Sequence, residues 1–216
     1  MLYLVTNRLL VQNRNFLDCI LDAAAGGVDA VILREKDLPD AELLALAKIL
    51  QYRLGKLNIP LIVNGNLLVA KQTGAAGYHD GFHHFAQFTQ ECRNFSEKLG
   101  VSVHSASEAE FAAANGADYL LAGHIYHTAS KPGLSPKGLQ LIKEIKARVD
   151  IPVVAIGGIM PDNVEELLEA GADGIAAMSY ILTAPNPGQA AGALKQRLKP
   201  LSERNDLLDN NSTMER

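Results

Sequence analysis

The sequence predicts an α/β fold, a (β/α)8 TIM barrel in a single domain, and three observations predict it. Short apolar runs alternate with longer amphipathic segments eight times over, a glycine-led signal recurs before every second run, and 216 residues are enough for one such barrel. An open doubly wound sheet is the rival architecture. It would carry a glycine-rich fingerprint after its first strand, and "VTNRLL" has none.

In order, the runs are "LYLVT" (2–6), "DAVILRE" (29–35), "IPLIVN" (59–64), "AGYH" (76–79), "GVSVH" (100–104), "DYLLAGH" (118–124), "IPVVAIGG" (151–158) and "DGIAAMS" (173–179). Most are rich in Val, Ile or Leu, the composition of parallel strands covered on both faces. Helical segments such as "DAELLALAKILQYRL" and "PDNVEELLEAG" lie between them; the second opens on Pro161 and Asp162 and stops at Gly171. "AGYH" is the least strand-like run, and "FHHFAQFTQECRNF" after it the least regular helix. Gly27-Val28-Asp29, Gly74-Ala75-Ala76, Gly116-Ala117-Asp118 and Gly171-Ala172-Asp173 each close a helix just before an even-numbered strand. Glycine there supplies a left-handed helix stop. The barrel is expected over residues 1–200, with 201–216 a polar tail expected to be mobile.

Composition narrows the function classes. Apolar residues make up 48% and charged residues 20% of the chain, and a net charge of −4 offers no broad basic surface for nucleic acid. Cys19 and Cys92 form no CxxC pattern, as suits a reducing compartment. "MLYLVTNR" turns polar too early for a signal peptide or a membrane span. The expected setting is cytoplasmic, without membrane or nucleic-acid partners, and a homodimer is the expectation for the class.

In such barrels chemistry collects at the C-terminal strand ends. On the second strand Ile32, Arg34 and Lys36 share a face, and two neighbouring cations repel unless an anion lies between them; pairing with Glu35 or Asp37 is the structural alternative. Asn64 and Asn66 follow the third strand. Ser102 and His104 share a face of the fifth, while "SASE" (105–108) has the spacing of a capping box. "AIGGIMPDN" and "AAMSYI" bring Gly158, Met178 and Ser179 to the loops after strands seven and eight, a recurrent phosphate site. "LLAGHIYHTASKPG" puts His124 at the end of the sixth strand above Leu120 and Ala122, then Thr128, Ser130 and Lys131 in the loop. An imidazole there can both take and give a proton. His79, His83 and His84 have only Asp80 as a neighbouring carboxylate, too little to support a zinc site. No metal and no cofactor are expected.

"LREK", "VSVHS", "GADYLLAGHIYHTASKPG", "IPVVAIGGI" and "AGADGIAAMS" together resemble the thiamine phosphate synthase superfamily, in order and along most of the chain. The resemblance implies a (β/α)8 barrel and one of two activities. The synthase joins a pyrimidine pyrophosphate to a thiazole phosphate with magnesium held by two aspartates, from Asn-Asp-Arg after the third strand and His-x-Gly-Gln-x-Asp after the fourth. Here those places read Asn64-Gly65-Asn66 and His79-Asp80-Gly81-Phe82-His83-His84, and the glutamine of Gln-x-Arg-x-Lys has become Ile32. The related thiazole tautomerase carries a Gly-His pair that Gly123-His124 matches, and its proton transfer on a carboxylated thiazole phosphate needs no metal.

The reading favoured by that selective loss is a tautomerase, an isomerase of thiamine biosynthesis. His124 would relay the proton, and Gly158, Met178 and Ser179 would hold the phosphate with help from Thr128 and Ser130. Arg34, Lys36 and Lys131 would meet the carboxylate, while Asn64, Ser102 and His104 shape the pocket. The alternatives are the synthase itself and a non-catalytic sensor of the phosphate ligand.

Overall fold

Each of the apolar runs forms a strand, and the alternation of side chains along them sorts the core into two layers. In the computed structural model, which describes residues 1–95 and 97–199, the strands are β1 (Leu2–Val5), β2 (Ala30–Leu33), β3 (Leu61–Asn64), β4 (Gly77–Gly81), β5 (Lys98–Val103), β6 (Tyr119–Gly123), β7 (Val153–Ile156) and β8 (Gly174–Ala177). They pair in parallel in chain order and β8 closes on β1. This is the (β/α)8 barrel expected, in a single domain. Residues 201–216, where the tail was expected, lie outside the described residues.

The helices cover the outside. They are α1 (Phe16–Ala25), α2 (Asp40–Gly55), α3 (Leu67–Thr73), α4 (Phe82–Gln87), α5 (Thr89–Arg93), α6 (Ala106–Ala114), α7 (Gly138–Lys146), α8 (Val164–Glu169), α9 (Ser179–Leu182) and α10 (Pro187–Arg197). The irregular segment after the fourth strand splits into α4 and α5 at Phe88. Among the described residues no helix is long and apolar enough to cross a membrane. Outward strand residues such as Leu4, Val31, Leu33 and Val63 join the helix faces in one large core, whereas Tyr3, Val5, Ile32, Ile62, Tyr119, Leu121, Val154 and Ala176 fill the barrel. Both cysteines are buried and free.

The recurring glycine signal has two parts. Gly27, Gly74, Gly116 and Gly171 take φ of +106°, +62°, +94° and +101°, the left-handed region open to glycine. The aspartate that follows ties neighbouring strands at the lower rim. Asp29 accepts from Leu2 N at 2.7 Å, Asp118 from Leu99 N at 2.7 Å and Asp173 from Val153 N at 2.8 Å. In return the backbone N–H of each aspartate donates to the carbonyl of the same residue. Ala76 makes only the backbone half, donating to Leu61 at 2.9 Å. Replacing Asp118 with alanine strips an ionised acceptor from a strand N–H. It is expected to lower stability by about 1.5–3 kcal/mol in a urea titration, with the fold retained.

Candidate active site

The inward rows of the strands end in one cavity of about 280 Å³ at the C-terminal mouth. Every residue given a role in catalysis or substrate binding from the sequence lines it: Arg34, Lys36, Asn64, Ser102, His104 and His124 from the strand ends, Thr128, Ser130 and Lys131 from the loop after β6, and Gly158, Met178 and Ser179 after β7 and β8. Its floor adds Val5, Ile32, His79, Leu121, Ile156 and Ala176.

The cationic side begins on β2. Arg34 and Lys36 do not pair with the neighbouring carboxylates, because those are spoken for. Glu35 is buried, accepting from the Thr6 hydroxyl at 2.6 Å and from Arg8 N at 2.9 Å, and Asp37 binds the Arg8 guanidinium at 2.7 Å. Burial makes the Arg34 guanidinium easier to deprotonate than usual. Lys131 comes across from the β6 loop, with its ammonium 3.3 Å from Nε2 of His104. The other nitrogen of that ring, Nδ1, meets the carbonyl of Gly123, which can only accept; Nδ1 therefore carries the hydrogen and Nε2 offers its lone pair to the ammonium. Half of the "SASE" capping box forms: Ser105 caps Glu108 N, while Glu108 accepts one residue earlier, from His104 N at 2.7 Å, fixing the residue that fixes Lys131.

Three placements differ from expectation. Asn64 lies in the wall, its amide donating to the His79 carbonyl at 3.0 Å, but Asn66 caps α3 by accepting from Val69 N and takes no part in the cavity. On β6 the inward residues are Tyr119 and Leu121, so Leu120 and Ala122 face the helices. His124, expected on their row at the open mouth, is buried in the cavity wall with Nε2 held 3.3 Å from the Leu134 carbonyl. The histidines of the fourth strand also part company. His79 points into the barrel, while Asp80 points out, where it accepts from the Tyr78 hydroxyl at 2.7 Å and from Gly81 N and pairs with His84.

The floor holds a hydrogen-bonded chain that sequence reasoning missed. His79 Nδ1 lies 3.0 Å from the Tyr119 hydroxyl and Nε2 lies 2.7 Å from the Ser102 hydroxyl. Tyr119 stands edge-on to Tyr3 and is made less acidic by burial. Its proton has His79 as acceptor, which leaves Nε2–H to donate to Ser102 and frees the Ser102 hydrogen for an occupant of the cavity. Burial, reinforced by the Arg34 charge, drives the His79 pKa from 6.5 down to about 3, so the ring is neutral. The signal that could have found it is parity: Asn64 pairs with His79, and both lie in the inward register.

The donors in this wall do not fit magnesium. A hard dication needs anionic oxygen ligands, and the cavity is lined by cations, amides, hydroxyls and imidazoles without an aspartate or glutamate. Asp80, the nearest substitute in sequence, faces the helices and is already engaged. Among the described residues no group of three or more His, Cys, Asp or Glu side chains could hold a metal ion.

A sequence model of the family described as thiamine monophosphate synthase matches residues 2–181. The chain is 37% identical over 199 residues to the thiamine-phosphate synthase of Alkaliphilus oremlandii, covering 92% of this chain and 95% of that one. It is 39% identical over 182 residues to that of Clostridium tetani, covering 84% and 87%. The solved thiamine phosphate pyrophosphorylase from Pyrococcus furiosus superposes with a TM-score of 0.80 at 31% identity, over 91% of this chain and 94% of that one. These relatives correct the expectation of a thiazole tautomerase and of an isomerase. Proteins carrying the synthase name match nearly the whole chain, and the Gly123-His124 pair that matched the tautomerase places its imidazole against a backbone carbonyl. Sequence likeness over almost the full length and the same closed barrel agree: the chain belongs to the thiamine monophosphate synthase family.

Proposed function

We propose that the chain is a transferase of the thiamine-phosphate synthase type, joining a pyrimidine pyrophosphate to a thiazole phosphate and releasing pyrophosphate. The observation that carries this reading is that a single cavity has two chemically distinct sets of anion-holding groups. Arg34, Lys36 and Lys131 form a cationic set matched to the more highly charged pyrophosphate. The backbone of Gly158, the backbone and hydroxyl of Ser179, and the hydroxyls of Thr128 and Ser130 form a largely uncharged set suited to a phosphate monoester. Ser130 and Met178 approach one another across the mouth, at 3.9 Å, so the β6 loop reaches toward the monoester side.

The cavity floor adds the apolar Val5, Ile32, Leu121 and Ile156 beside the Ser102 hydroxyl, a polarity fit for flat heterocycles with one acceptor turned downward. When the carbon–oxygen bond to pyrophosphate breaks, its electron pair leaves on the pyrophosphate, and nearby fixed cations stabilise that charge. The partner is thus a pair of small phosphorylated molecules. Incubation with both substrates is expected to give thiamine phosphate and pyrophosphate in equal amounts, read by chromatography and a pyrophosphate assay. Binding of both substrates without product would overturn the assignment.

A further inference from the structure

Among the described residues no carboxylate is in contact with the cations of the cavity; Glu35 acts on Arg34, and Glu108 on Lys131, only through space. Glu35 and Asp37 are consumed by Thr6 and Arg8, and among the described residues no ion pair reaches Arg34, Lys36 or Lys131. Lys131 is also held in place: one of its N–H groups points at His104 Nε2 and the rest of the ammonium remains for the cavity. Burial first, and then the charges of Lys36, Arg34 and Lys137, outweigh the opposing charge of Glu108 and make this ammonium easier to deprotonate than an ordinary lysine. Two additional positive charges placed in such a space would be repelled by its cations and would find no carboxylate in the wall.

We propose that the cavity binds a pyrophosphate group without a divalent cation, the Lys131 ammonium pinned by His104 supplying, with Arg34 and Lys36, the positive charge that magnesium supplies elsewhere in the superfamily. The proposal rests on the synthase reading for the identity of its ligand. A metal-held pyrophosphate needs an anionic protein ligand to bridge it to the wall. Three side-chain cations lining the cavity need no bridge, because they can meet the phosphate oxygens directly.

Calorimetric titration of inorganic pyrophosphate into the full chain is the test, run once in chelator-treated buffer and once with magnesium in excess. Saturable binding is expected under chelation, with magnesium tightening it by less than about threefold, well under the tenfold that 1.4 kcal/mol represents. Lys131→Ala is expected to weaken the chelated binding by about tenfold or more, as for loss of a charge-assisted contact. Lys48→Ala, on the exposed outer face of α2, should leave binding as it is. Absence of binding under chelation, a larger tightening by magnesium, or an unweakened Lys131→Ala overturns the proposal. Turnover separates its fate from that of the synthase reading: product formed only with magnesium sinks the proposal and keeps the synthase, whereas metal-free pyrophosphate binding with no product under either condition sinks the synthase alone.

Discussion

Gly158→Ala is expected to weaken binding of the thiazole phosphate by about tenfold or more and to lower the melting temperature by several degrees, about 2–4 °C per kcal/mol for a chain of this size. Gly158 has φ of +68°, and a Cβ built on it would lie 2.5 Å from the His127 carbonyl oxygen and 2.7 Å from Tyr126 Cβ. Left-handed backbone costs an alanine about 1–2 kcal/mol before any collision is counted, and here the collision is with main chain. Gly157 is equally hemmed in, its virtual Cβ 2.3 Å from His124 Cβ. The loop after β7 therefore rests directly on the loop after β6, and a methyl group between them displaces the Gly158 backbone and the turn that carries Thr128, Ser130 and Lys131. Gly55→Ala is the internal comparison. Gly55 closes α2 with open space around it, so stability there should hold or rise. Ligand titration and differential scanning fluorimetry read both variants; wild-type affinity in Gly158→Ala would show that the backbone there has room to yield.

Acidification should weaken the fold through His79. Unfolded, its imidazole takes a proton near pH 6.5; folded, it resists until about pH 3. Between those values the unfolded chain binds more protons than the native one. The stability is therefore fully present above about pH 6.5 and drains away as the pH falls toward 3. The slope is about 1.4 kcal/mol per pH unit, or about 2 kcal/mol lost by pH 5. Urea unfolding between about pH 7.5 and pH 5 measures it. His79→Gln, with no proton to gain, should be less stable than wild type at neutral pH but should show a distinctly flatter dependence. An equally steep slope in that variant would place the proton uptake elsewhere.

Much of the barrel could be read from residues 2–179 because its cause is local. A parallel strand covered on both faces must be short and apolar, and the left-handed glycines stop helices by backbone geometry alone. The split of α4 from α5 escaped detection since no glycine or proline interrupts residues 82–93. For the site, the residues at strand ends were legible and converge on one cavity. Their contacts were not, because those depend on register between distant strands. His79 was grouped with His83 and His84 by proximity in sequence, yet its partners are Tyr119 and Ser102, reached only when β4, β5 and β6 lie side by side. His124 was assigned to the row of Leu120 and Ala122, and that row faces the helices. The tautomerase reading put the loss of the metal aspartates and the strand-two glutamine, with one matching dipeptide, above likeness spread along the whole chain.

The lower-rim aspartates carry a consequence for how the molecule comes apart. Three of the four strand pairs that follow the glycine stops are latched by a carboxylate, and the β3–β4 pair, with Ala76 in that position, has its backbone contact alone. Thermal breathing should begin at this unlatched quarter, so that amides of β3 and β4 exchange with solvent deuterium ahead of those at the other three seams. Asn64 and His79 sit on those same two strands, so opening there would disturb the cavity floor while the rest of the ring stayed shut.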